Sequence, residues 1–129
     1  MNKNKVINIL ENEGLYEIDE INYKKDYVIL DAYYKFDKVE VEGAISFSNE
    51  SYGEEKNDTW YEDYYFPYLY DIAIDNLSEV LEEIAEEEDI VIEFTLCEMD
   101  VKVNNKCEVI IVLSNKEFDM DEVLENIEK

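Results

Sequence analysis

Five carboxylates, Asp71, Asp75, Glu79, Glu82 and Glu86, recur at spacings of four, four, three and four residues. On an α-helix, at about 100° per residue, that spacing sets them in one row. Tyr70, Ala73, Leu77, Val80 and Ile84 fall on the opposite side. Each four-residue step advances about 6 Å along the axis, comparable to the separation of neighbouring phosphates on a nucleic-acid strand. Like charges at i,i+4 destabilise a helix by a few tenths of a kcal/mol per pair. No lysine between Lys56 and Lys102 relieves them. A face that only meets water would gain from mixed signs, so the row reads as a surface for a basic partner. Ile72 lies beside it and, being apolar, invites a contact. Acidity kept for solubility alone is the competing reading.

A second constellation runs from Glu50 to Phe66, where six acids and a single lysine are interleaved with aromatic residues. Tyr and Trp beside carboxylates suit a grip on Lys- or Arg-rich protein surfaces, through cation–π and charge-assisted contacts. About half of these rings are needed to cover helix and sheet edges. Trp60 and Tyr61 are expected to be the exposed ones.

Other chemistry finds little support. The chain has no His, so the usual neutral-pH base and the commonest zinc ligand are missing. Cys97, Cys107 and serines such as Ser46, Ser48, Ser51, Ser78 and Ser114 therefore lack a histidine base to activate them. Among 35 acids, carboxylate pairs at any chosen separation arise by chance. The EF-hand pattern is absent, and Glu86-Glu87-Glu88-Asp89 reads as a solvated helix end before it reads as a cation site. No catalytic residue, cofactor or metal is expected.

The whole composition bounds the answer further. The 129 residues make one domain, 1–129, without internal repeats or a Pro- or Ser-rich linker. With 35 Asp and Glu against 11 Lys, the net charge is −24, so direct binding to DNA or RNA is not expected. No apolar stretch approaches the length of a membrane span, and no signal-like n- and h-regions open the chain. A cytoplasmic location is expected, with both cysteines reduced. Mean hydropathy of −0.43 with this charge leans toward disorder, but 47% hydrophobic residues and a single Pro argue for a packed core. Self-repulsion should make its stability salt-sensitive.

The elements that must hold these residues follow from periodicity. Residues 4–13 predict a helix, with Gly14 as its left-handed terminator and Leu15 touching Leu10. Ile18, Ile21 and Tyr23 mark a short edge strand. Val28, Leu30, Ala32, Tyr34 and Phe36 alternate with Ile29, Asp31, Tyr33 and Lys35, and Val39, Val41, Gly43, Ile45 and Phe47 with Glu40, Glu42, Ala44, Ser46 and Ser48. A turn at Asp37-Lys38 would pair Leu30 with Ile45 and put both apolar sets on one face of a hairpin. Pro67 suits the first turn of a long helix reaching about Glu88. A second hairpin follows, with a bulge near residues 96–98 and a turn at Asn104-Asn105. It aligns Val101 with Cys107, Met99 with Val109 and Cys97 with Ile111. That register holds the two cysteines about 13 Å apart along the strands, too far for a disulfide. Asp119 and Glu122 form a capping pair for a last helix carrying Val123, Leu124 and Ile127.

The expected fold is α+β: a four- to five-stranded, mainly antiparallel sheet of two hairpins, with the long helix and shorter N- and C-terminal helices packed on it, helices on one face. In size and charge the chain resembles small phage-borne blockers of restriction or CRISPR nucleases and some toxin-immunity proteins. Its element order resembles that of small acidic secretion chaperones. The first resemblance implies a non-enzymatic inhibitor, a nucleic-acid mimic set against a basic site on a partner protein such as a nuclease. The others imply an immunity protein or a peptide-binding module that can be homodimeric. Steep loss of binding with salt would mark the charge mimic, because screening weakens it and not an apolar clamp.

Overall fold

Asn2 opens the first helix, α1 (Lys3–Asn12), its side chain accepting from the Lys5 amide at 3.1 Å in a computed structural model that describes residues 2–99 and 106–127. Gly14 ends it at φ +101°, and Leu10 and Leu15 are buried in the same core. The chain then enters β1 (Leu15–Ile21), which pairs antiparallel with β2 (Tyr27–Lys35). The expected edge strand is therefore present, and it is irregular. Its register slips between Tyr16 and Asp19, where Glu17 takes φ +51°.

The predicted first hairpin does not form. Residues Lys38–Ser51 are a helix, α2, and Leu30 faces Glu20 on one side and Ile111 on the other in place of Ile45. Two physical reasons combine. Asp37 and Glu40 make a reciprocal capping box, which starts a helix where a turn was expected. The same run also carries a helical pattern, with Val41, Ala44, Ile45 and Ser48 facing inward at i, i+3, i+4 and i+7. Val39 and Phe47, inward in the strand reading, are 77% and 43% exposed. With α2 removed from the sheet, β2 takes β4 as its second neighbour.

A π-helical turn (Trp60–Tyr65) runs directly into the long helix α3 (Phe66–Glu88), which has Pro67 in its first turn. Asp89, left-handed at φ 53°, closes it. β3 (Val91–Leu96) and β4 (Lys106–Ser114) pair antiparallel, but Leu96 faces Val109 and Phe94 faces Ile111. This register lies three residues from the expected one. It puts Ile92, Phe94 and Leu96 on the same face as Val109, Ile111 and Leu113 with no bulge. The anticipated turn at Asn104-Asn105, and Val101 with it, lie outside the described residues.

The sheet is thus four-stranded and antiparallel throughout, in the order β1-β2-β4-β3. Leu30, Ala32, Val109, Ile111 and Leu113 meet Leu69, Leu77, Leu81 and Ile84 of α3 on one face. The helices do not all share that face. α4 (Met120–Ile127) starts with Asp119 Oδ1 accepting from the amides of Asp121 and Glu122, and it sets Val123 on Ile29 and Val112 of the opposite face. No helix among the described residues is long and apolar enough to cross a membrane.

Candidate functional site

Helix α3 buries Phe66, Leu69, Ala73, Leu77, Leu81 and Ile84, and this stripe fixes the rotation of everything else on it. Asp71, Asp75, Glu79, Glu82 and Glu86 consequently point away from the sheet, and all five are exposed. The ion pairs among the described residues leave the row alone: they join Lys3 to Glu20, Lys5 to Glu88, Lys38 to Glu42 and Lys116 to Asp26. Glu88, just past the row, is bound by α1, accepting from the Asn2 amide at 3.1 Å. The outward ridge therefore keeps its charge uncompensated among the described residues. Ile72, beside it, is half-buried, while Ile74 on its other flank is 42% exposed.

The second constellation is rearranged. Trp60 is 1% exposed and belongs to the core. Its ring stacks on Tyr65 at 5.0 Å, and its Nε1–H donates to Asn49 Oδ1 at 3.1 Å. With that donor satisfied, nothing holds the indole at the surface. Trp60 is thus an internal brace between α2 and the π-helical turn, not a partner-facing ring. Tyr61 is half-buried and lines a cleft of about 690 Å³ with Asp58, Glu62, Tyr70 and Glu98.

The exposed aromatic surface lies elsewhere. Phe47 of α2 packs against Tyr68 at 5.3 Å and Tyr64 at 6.4 Å, and Tyr52 meets Tyr64 at 5.4 Å. Phe47 and Tyr52 are 43% and 41% exposed. Tyr64 and Tyr68 continue the acidic row backwards at spacings of four and three, so rings and carboxylates form one ridge. That extension was available in the sequence. Phe47 was not, because the run 39–48 alternates like a strand and sets Phe47 on its inward side. Gly43 lets the two helices meet here: a Cβ at this position would lie 2.9 Å from Tyr68 Oη.

The opposite face of the sheet carries a different acidic group. Asp31, with Asp19 across one strand pair and Glu108 on β4, has its carboxyl pKa raised to about 7. Burial contributes most, followed by a hydrogen bond with Glu108 and the charges of Glu108 and Asp19. The hydrogen bond needs one of the two carboxyls protonated. With both ionised, Oδ1 of Asp31 is buried without a partner. Among the described residues no group of three or more His, Cys, Asp or Glu is arranged to hold a metal ion.

Cys107 is buried and its thiol is pushed up to about 12, chiefly by burial and then by the neighbouring Cys97. The two cysteines are closer than expected, Cys107 Sγ lying 3.7 Å from the Cys97 carbonyl. Cys97 stands opposite Glu108, donating its amide to the Glu108 carbonyl, so strand alternation separates it from Cys107. Compared with protein-family models, with curated proteins and with solved structures, the chain matches none.

Proposed function

We propose that this is a non-enzymatic acidic binding protein, an inhibitor that sets the outer ridge of α3 into a basic, nucleic-acid-binding site of another protein, as on a nuclease. The observation that carries this reading is the row Asp71, Asp75, Glu79, Glu82 and Glu86, exposed, unpaired by any cation among the described residues, and continuous with the Phe47–Tyr52–Tyr64–Tyr68 platform. Exposed charge pairs contribute little one at a time, typically below about 1 kcal/mol. Their sum steers encounter and excludes acidic partners, while a few rings that become buried supply holding energy. The platform replaces Trp60 in that anchoring role. Arginine is the side chain it fits best, because a guanidinium stacks on a ring and pairs with a carboxylate at once.

The test is capture of DNA-binding proteins from a lysate on the immobilised protein, in competition with duplex DNA. Duplex DNA should displace the captured proteins. Replacing Asp75, Glu79 and Glu82 together by Lys should abolish capture at low salt. If the triple variant captured the same proteins as tightly as the parent, the ridge would not be the interface, and solubility would be the role left for its charge.

A further inference from the structure

The two edges of the sheet are unlike. β1 is blunted by its register slip, by Glu17 at φ +51° and by Glu20 and Asp19 along it. β3 has none of these protections. Its six residues, Val-Ile-Glu-Phe-Thr-Leu, pair with β4 in unbroken register and carry one charge, no Pro and no Lys. Among the described residues nothing pairs with its outer side. The amide of Cys97 donates to Glu108 at 2.8 Å, so Cys97, Thr95, Glu93 and Val91 turn their backbone groups toward β4. By alternation, Ile92, Phe94 and Leu96 turn theirs outward.

Beside this open edge lies an apolar groove of about 630 Å³ between β3 and α3, lined by Tyr70, Ile74, Phe94 and Leu96, with Glu98 at one end. Tyr70 holds that end in place: its Oη accepts from the Met99 amide at 2.6 Å and donates to the Cys97 carbonyl at 3.4 Å. Glu93 lies on the other face of the strand. No lysine occurs on α3 or β3.

We propose that the free edge of β3, together with this groove, binds an extended segment of a partner protein in which apolar residues alternate with Lys or Arg. Added as a fifth strand, such a segment bonds to the outward groups of Ile92, Phe94 and Leu96. Its apolar side chains then fall over Phe94, Leu96 and Ile74, and its cations fall on the face of Glu93. The charge selects the occupant. A second copy of this chain would bring another −24 to the contact, whereas a basic strand is attracted. The site is separate from the charge row and does not rest on that reading.

The probe is a synthetic peptide of alternating lysine and valine, with two N-methylated forms, one methylated on the valines and one on the lysines. Each form blocks one edge of the peptide while charge and side chains stay nearly the same. Titrations are run in about 1 M salt, where the Debye length is about 3 Å. One methylated form should bind about tenfold or more weakly, the loss of a few backbone hydrogen bonds, while the other keeps the parent affinity. The unmodified peptide should slow amide hydrogen exchange at Ile92, Phe94 and Leu96. Ile74→Asp should weaken binding about fivefold despite adding a negative charge, because it removes apolar contact at an exposed position. Equal binding by both methylated forms, unchanged exchange at the three amides, or exchange protection that needs no peptide and grows with protein concentration would overturn the proposal. Asp75, Glu79 and Glu82 line neither edge nor groove, so their triple Lys variant should keep its peptide affinity in 1 M salt even if it loses every captured protein.

Discussion

Asp37 and Glu40 cap each other: Asp37 Oδ1 accepts from the Glu40 amide at 2.7 Å, and Glu40 Oε1 accepts from the Asp37 amide at 3.0 Å. This pair converts a run that alternates like a strand into helix α2, which in turn delivers Phe47 to the aromatic platform. Asp37→Ala should cost about 1 kcal/mol, the usual worth of an N-cap. Glu40→Gln should cost less, since an amide oxygen still completes the box. Urea unfolding with a far-ultraviolet probe would measure both. Equal stability of Asp37→Ala and the parent would show that α2 is held by packing alone.

Stability should fall as pH rises from about 4 to 7. Asp31 has its pKa raised from 3.8 to about 7 in the fold, so the folded protein binds more protons than the unfolded chain across that interval. The contribution is full below the unfolded value and is lost as pH passes the folded one. Asp31→Asn should flatten this segment of the pH profile and raise Tm by a few degrees at neutral pH, solvent screening at a half-exposed site keeping the gain small. Thermal melts from pH 4 to 8 decide the matter, and an unchanged slope in the variant would assign it elsewhere.

Trp60 should behave as a core residue. Trp60→Ala should destabilise by about 3–5 kcal/mol, as large-to-small changes in a core do. Asn49→Ala, which leaves the indole N–H without its acceptor, should cost about 1–3 kcal/mol. Loss of partner binding by Trp60→Ala with an unchanged Tm would instead return the ring to the interface.

The triple variant Asp75→Lys, Glu79→Lys, Glu82→Lys, with the net charge lowered from −24 to −18, should fold and melt at or above the parent temperature in low salt. The gap between the two proteins should close as salt is added, because screening removes the repulsion that the substitutions relieve. A variant that melts below the parent in low salt would mean the row makes favourable contacts within the fold.

Cys107 should resist alkylation at pH 8 in the folded state. With its pKa near 12, only about one molecule in ten thousand carries the reactive thiolate, and the sulfur is buried besides. Cys97, half-buried at the end of β3, should be modified first. Mass spectrometry of partly labelled protein would check the order, and early labelling of Cys107 would show that the β3–β4 end opens readily.

Features governed by short-range periodicity were legible in the residues alone. The rotation of α3 follows from Ala73, Leu77 and Ile84, and with it the outward direction of Asp71 through Glu86. The ends of α1 and α4 follow from Gly14 and Asp119. These depend on neighbours within about one helical turn, which any reader of the chain can see. Strand partners are different in kind, because pairing joins residues far apart and a period-2 pattern names a face, not a neighbour. Residues 39–48 satisfy that pattern and a helical one together, and only β4, arriving on the free side of β2, together with the Asp37–Glu40 box settles which is used. The three-residue difference in the β3–β4 register was likewise decided by which apolar set meets α3. Trp60 went inward because Asn49, eleven residues away, offers its Nε1–H an acceptor. The acidic row could thus be read from sequence, whereas the aromatic platform beside it and the open edge of β3 exist only because helices and strands distant in the chain came to lie together.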